Sequence, residues 1–273
     1  MQNYFGMIIS RCGLLFVLLV SFVSSIKAQT DATQTQLNKE VVVSLGGGIK
    51  MEFVLIPNGS FTMGSDKIGG NENPLHNVTF SKSFYLGKYL VTQEQWYQIM
   101  GRNPSCFKGA KNPVEQVSWN DCQNFTIKLK EKVPGFTFRL PTEAEWEYAC
   151  RAGSTSDYCY GDDASRLREY AWYISNAGFM HHPVGEKKPN AWGLYDIHGN
   201  VWEWCQDVYH KTYVNAPADG SAWTQGGEPE HVLRGGSWGD SAPPLRSASR
   251  ISNHPSGQQD VFGLRVVAEV GTP

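Results

Sequence analysis

The chain has 273 residues and carries 24 Lys and Arg against 26 Asp and Glu, a formal charge of −2 with neutral histidines. No basic run or stripe marks a surface for phosphate backbones, so nucleic acid is excluded as an expected partner. Nine Trp and 28 Gly predict a loop-rich fold whose core rests on large aromatic rings, with glycine letting backbone approach them.

Residues 1–28 contain no acid, and Arg11 precedes the apolar run Gly13–Val23. Small residues follow in Ser-Ser-Ile-Lys-Ala, ending at Ala28. A run of about eleven fits a signal-peptide core and falls short of the roughly 20 residues a membrane span needs. Residues 1–28 are therefore read as a cleaved signal peptide rather than an uncleaved anchor, giving an exported chain, periplasmic or secreted. Cys12 precedes the apolar core, which is the wrong place for lipid attachment. Without Arg11 and Lys27, 22 basic residues face 26 acidic ones, and no later segment could span a membrane.

Residues 29–40 are small and polar and read as a linker. Alternation then predicts a hairpin from Val41–Val43 and Glu52–Ile56, turning at Gly46-Gly-Gly48 and closed by Phe61–Gly64. Three helices follow. One opens at Thr92, with Gln95 completing a capping box, and stops at Gly101. A second runs from Ser118 with Cys122, Phe125 and Leu129 on one stripe. A third has the box Thr142 to Glu145 and ends at Gly153, its early glutamates suiting the positive end of the helix dipole. Beyond 154 short apolar pieces alternate with Gly, Asn, Pro and Asp. No repeat or linker divides 41–270, so these residues read as a single α+β domain with little regular structure.

Five cysteines remain after processing, Cys106, Cys122, Cys150, Cys159 and Cys205, at spacings of 16, 28, 9 and 46. These match no zinc pattern, and buried structural thiols are expected. An odd number leaves one unpaired within the chain, and the pairing stays open. Asp196, Asn200, Glu203 and Asp207 bring side-chain oxygens together around Gly199. That set could serve a calcium ion, or Asp196 and Asn200 could simply cap a turn; the residues alone leave both open. Adjacent His181 and His182 read as a surface loop rather than a metal site. No nucleophile elbow, His-Glu-x-x-His or phosphate loop occurs.

Seven motifs then occur in order: Phe61-Thr-Met-Gly64, Phe84–Trp96, Pro113–Trp119, Phe138–Tyr148, Gly193–Trp204, Leu233-Arg-Gly-Gly-Ser-Trp238 and Gly263-Leu-Arg265. Together they resemble the formylglycine-generating enzyme family, also called the sulfatase-modifying factor family, over about residues 50–268. The resemblance implies that family's variant of the C-type-lectin-like fold. It also implies a structural calcium, with side chains from Asp196 and Glu203 and main-chain carbonyls from Gly199 and Val201. The family's oxidases make formylglycine with copper held by two cysteines just after the Gly-Gly-Ser-aromatic motif. Here the loop after Trp238 is about three residues shorter and has no cysteine; Asp240 and Leu245 fall near the two positions. Soft Cu(I) wants thiolates, so copper is not expected.

The expectation is thus an exported binding module that is not a copper-dependent oxidase. Trp238, Asp240, Ser241, Arg246, Asn253, His254, Gln258 and Gln259 would contact a protein, peptide or small-molecule ligand. Arg250 and Arg265 are expected instead to pair with acids and hold the frame. The alternatives are an oxidase or other protein-modifying enzyme with a non-cysteine site, and a structural subunit of an envelope assembly.

Overall fold

The structure is a computed structural model and describes residues 38–67 and 70–270. The signal peptide expected over 1–28 and most of the linker expected over 29–40 lie outside the described residues. From Lys39 onward the chain packs as one compact unit. No helix among the described residues is long and apolar enough to cross a membrane.

β1 (Glu40–Gly46) and β2 (Ile49–Ile56) form the expected hairpin, with Val43 opposite Met51. Gly46, Gly47 and Gly48 hold φ of 87°, 62° and 80°, the left-handed region that a side chain would strain. Phe61–Gly64 does not close this hairpin. β3 (Gly59–Met63) pairs instead with β4 (His76–Phe80) as a separate two-stranded sheet. The free edge of β2 is already taken by β5 (Phe84–Gly87), which makes the ladder that β3 was expected to make. With β6 (Phe136–Arg139) and β11 (Val267–Val270) the main sheet runs β1-β2-β5-β11-β6, all antiparallel.

Alternation along these strands divides the core. Phe53, Tyr85 and Ala268 point to one face, Val54, Leu86 and Val267 to the other. The first face is covered by α1 (Gln93–Met100) and α2 (Trp119–Lys132), whose Trp96 and Phe125 rings stack 5.0 Å apart. The second is covered in part by α3 (Glu143–Arg151) and the β3–β4 pair, where Phe61, Phe80 and Tyr148 meet. All three helices start at a complete capping box, on Thr92, Ser118 and Thr142. The third ends one residue earlier than expected, at Ala152, and both Ala152 and Gly153 hold positive φ, 47° and 90°.

A second sheet, β10-β7-β8-β9, carries the candidate loop. β7 is Trp202–Val208, β8 His231–Arg234, β9 Arg250–Asn253 and β10 Phe262–Gly263. β8 and β9 are antiparallel neighbours, with Arg234 opposite Arg250. Residues 235–249 are therefore the connection between two paired strands, fixed at both ends.

Candidate functional site

The three arginines of this segment turn inward. Arg234 is fully buried beneath α3, with Glu147 and the Ser249 carbonyl on its guanidinium. Arg250 takes both oxygens of Glu143 at 2.6 and 2.7 Å. Arg246 takes both oxygens of Glu72 at 2.6 and 3.0 Å. Burial pushes the Glu147 carboxyl up, but Arg151 and Arg234 outweigh it and hold it below the usual range. The glutamates of α3 do more than complement a dipole: Glu143 and Glu147 are the counter-charges that anchor the loop, and Glu145 holds Arg139 at 2.6 and 2.7 Å. Gly236 is a glycine because a Cβ there would stand 2.6 Å from Leu245 Cδ1 and its φ is 77°.

With the arginines committed, the outer face belongs to other residues. One oxygen of Asp240 accepts from the Trp202 indole (2.9 Å), the Ser237 amide (2.9 Å) and the Ser237 hydroxyl (2.6 Å). This ties the loop down at its start. Trp238 is half-buried, donates to the Asp260 carbonyl at 3.2 Å and stands edge-on to Phe107 at 5.8 Å. Ser241 is exposed beyond it. Gln259 is exposed, and its carbonyl accepts from Gln116 at 3.0 Å, beside Cys106. Asn253, His254 and Gln258 lie apart from this group, against the start of α2. There Gln258 donates to Asp121 at 2.7 Å and His254 meets Ser256 at 2.8 Å. The eight expected contact residues thus divide: Trp238, Asp240, Ser241 and Gln259 share one face, Asn253, His254 and Gln258 another, and Arg246 is buried.

The Trp238 face extends into residues the sequence did not single out. Ile174 donates its amide to the Asp240 carbonyl, which sets the 174–181 segment alongside the loop. Ile174, Phe179 and Met180 are 51%, 78% and 43% exposed, three large apolar side chains in one segment. Phe179 also holds φ at 66°, a conformation a bulky residue rarely adopts. His181 is not part of a surface loop: it is buried, edge-on to Phe107, with Nε2 3.4 Å from Glu115. His182 is half-buried and stacked on Trp172 at 3.8 Å. Gly178 and Phe179, just before the two histidines, both hold positive φ, 62° and 66°. The available signal was Phe-Met in a Gly- and Asn-rich stretch with no periodic partner.

The residues expected to hold calcium are close together but do not form an open oxygen set. Glu203 is fully buried; Arg265 donates to both its oxygens at 3.0 Å and the Trp146 indole to one at 2.9 Å. Asp196 accepts from the Gly185 amide at 2.7 Å and the Asn200 side chain at 3.3 Å. Burial pushes Asp196 up to about 6. Gly199 is required by packing, since a Cβ would stand 2.3 Å from the Trp172 carbonyl. A calcium ion needs six to eight oxygens, and here a guanidinium already neutralises one of the two carboxylates. Two of the four expected donors, Asp196 and Glu203, are thus already hydrogen-bonded within the protein.

The two positions near which the family's oxidases carry cysteine hold no sulfur here. Leu245 is fully buried in a cluster with Tyr158, Leu167 and Ala171, and Asp240 offers a hydrogen-bonded carboxylate where a soft ion wants sulfur. Cys122, Cys150 and Cys205 are buried, as expected of structural thiols; Cys159 is half-buried and Cys106 exposed. Arg250 and Arg265 are ion-paired in the frame, as the sequence led us to expect.

The comparisons with known proteins agree with this architecture. Residues 48–270 match the model of the sulfatase-modifying factor enzyme 1-like domain. The chain is 30% identical to the chaperone protein LppX of Paenibacillus barcinonensis, over 93% of this chain and 98% of that one. It is 32% identical to the inactive C-alpha-formylglycine-generating enzyme 2 of Mus musculus, over 67% of this chain and 58% of that protein. The solved structure of PvdO from Pseudomonas aeruginosa superposes with a TM-score of 0.77 at 33% identity, covering 85% of this chain and 99% of that one. The three capped helices and short strands of this chain are the family's variant of the C-type-lectin-like fold, and the chain belongs to the sulfatase-modifying factor family.

Proposed function

We propose that this protein is an exported, non-oxidase member of its family that holds a polypeptide partner on the face around Trp238. The observation that carries the reading is the loop itself. At the two places where the family's oxidases would need thiolates it has an engaged carboxylate, Asp240, and a buried aliphatic chain, Leu245. Around it Ile174, Phe179, Met180, Phe107 and Trp238 give an apolar rim with hydrogen-bonding Ser241 and Gln259, the mixture expected of a rigid contact surface. An aromatic side chain held in an unfavourable backbone conformation and exposed to water costs free energy with no return inside the fold, which favours an external contact. Similarity to a protein named as a chaperone and to one named as inactive supports both halves of the reading.

Two measurements test it. Incubation of the purified chain with Cu(I) and a Cys-x-Pro-x-Arg peptide should leave the peptide mass unchanged; conversion of the cysteine to an aldehyde would overturn the non-oxidase half. A photo-crosslinking residue placed at Phe179 in the source cells should yield a polypeptide adduct that Trp238→Ala abolishes. The same probe at Tyr97, exposed on α1, should yield none. No adduct at 179, or equal adducts at both, would overturn the binding half.

A further inference from the structure

Cys150 and Cys159 meet on one histidine. Cys150 is the penultimate residue of α3, and Cys159 lies nine positions on, in the turn closed by the Tyr158–Gly161 bridge. The His198 ring is buried with its Nδ1 on the Leu245 carbonyl at 2.7 Å, so Nδ1 carries the proton and Nε2 the lone pair. Nε2 accepts from the Cys159 amide at 3.1 Å, and the Cys150 sulfur lies 3.9 Å from the same atom. Because both contacts share Nε2, the Cys159 amide is no more than about 7 Å from the Cys150 sulfur, within side-chain reach of a disulfide. The Cys159 charge is close enough to act on the Cys150 thiol.

We propose that Cys150 and Cys159 form a disulfide in an oxidising environment, a covalent staple directly beneath the candidate loop. The half-buried Cys159 is the thiol an oxidant reaches first. With a low-molecular-weight disulfide such as oxidised glutathione, the Cys159 thiolate attacks one sulfur and expels a glutathione thiolate. The Cys150 thiolate then attacks the Cys159 sulfur of the mixed disulfide and expels the second glutathione. Two protein thiols are oxidised, one glutathione disulfide is reduced to two thiols, and the two protons leave with them. Burial pushes Cys159 up to about 12 and Cys150 higher still, so the exchange should quicken as pH rises. Of the other cysteines among the described residues, Cys205 donates its thiol to the Glu203 carbonyl at 3.9 Å and the Cys106 sulfur accepts from the Gln116 side-chain amide at 3.4 Å. The bond would tie the segment after α3 to the helix end. His198 and the adjoining Leu245 carbonyl would then transmit that restraint to residues 245–247.

The test is independent of the partner-binding reading and uses the purified chain after removal of residues 1–28, which carry Cys12, with oxidised glutathione. After oxidation and denaturation the expected product is two hydrogens lighter than the reduced chain, and alkylation then adds three groups rather than five. Its tryptic map should show Cys150 linked to Cys159, with Cys106, Cys122 and Cys205 alkylated and a higher Tm than the reduced protein. Cys159→Ser should abolish the mass loss and Cys122→Ser should leave it. Five alkylated thiols, glutathione retained on Cys159 alone, or a link from Cys150 to any other cysteine would overturn the proposal. The map of the unsubstituted chain decides the matter even where a variant fails to fold.

Discussion

Arg246 and Glu72 face each other fork to fork, at 2.6 and 3.0 Å, across 174 positions of sequence, and both are buried. This pair pins the middle of the candidate loop to the 70–72 turn. Arg246→Ala would leave the Glu72 carboxylate buried without its counter-charge, which costs about 3–5 kcal/mol. Arg246→Met combined with Glu72→Met should recover most of that loss, because two apolar chains of similar length remove both desolvation penalties. Urea midpoints of the three variants check this. A single substitution costing under about 1 kcal/mol would return Arg246 to the group of contact residues.

The same pair shows what could be read from the sequence. Capping boxes are local, so Thr92 with Gln95 and Thr142 with Glu145 announce their helices within four residues. The ordered motifs likewise made the fold legible from one end of the domain to the other. Ion pairs such as Arg234 with Glu147, 87 positions apart, are chosen by the tertiary fold. Composition therefore left Arg246 looking like a surface contact and the α3 glutamates looking like dipole partners. The apolar part of the Trp238 face was hidden for a different reason. Phe179 and Met180 lie in a segment without period, where nothing local distinguishes an exposed aromatic from a buried one.

Gly199 separates a packing role from a metal-ligand role. Its φ is 80°, and a Cβ would meet the Trp172 carbonyl at 2.3 Å and Leu245 Cδ2 at 3.1 Å. Gly199→Ala should therefore lower stability by more than about 2 kcal/mol, with or without calcium present. Gly101, at φ 73° with nothing within 4 Å of the same atom, is the control; alanine there should cost about 1 kcal/mol, the backbone term alone. A Gly199→Ala loss that appears only in the presence of calcium would point to the ion instead.

Calcium itself can be tested by linkage. An ion bound only by the native state raises Tm in proportion to the logarithm of its concentration. Because Arg265 holds Glu203, millimolar calcium or a chelator should leave Tm unchanged. Arg265→Ala would free Glu203 while removing its counter-charge. That variant should be strongly destabilised, and calcium should rescue part of the loss if the released carboxylate can share an ion with Asp196.

Asp207 sets a pH dependence whose sign is fixed by its surroundings. Its oxygens accept from the Glu143 and Trp223 amides at 2.7 and 2.8 Å. Burial first, then the neighbouring Glu143 charge, push it up to about 7, while Arg250 nearby opposes them. In the unfolded chain the same group titrates near about 4. Between those values the folded protein holds a proton that the unfolded chain has lost. Stability from this group therefore rises as pH falls from 8 towards 5, and the cost of the ionised carboxylate is fully present above 7. His198 works the other way, because burial holds it at about 4 and the unfolded chain gains a proton below about 6.5. Comparison with Asp207→Asn isolates the first effect, since the His198 contribution is common to both proteins. The unsubstituted chain should gain about 2 kcal/mol on the variant between pH 8 and pH 5.5, read from urea midpoints at each pH. A difference that does not change with pH would place the Asp207 titration outside that window and leave its two amide hydrogen bonds as its whole role.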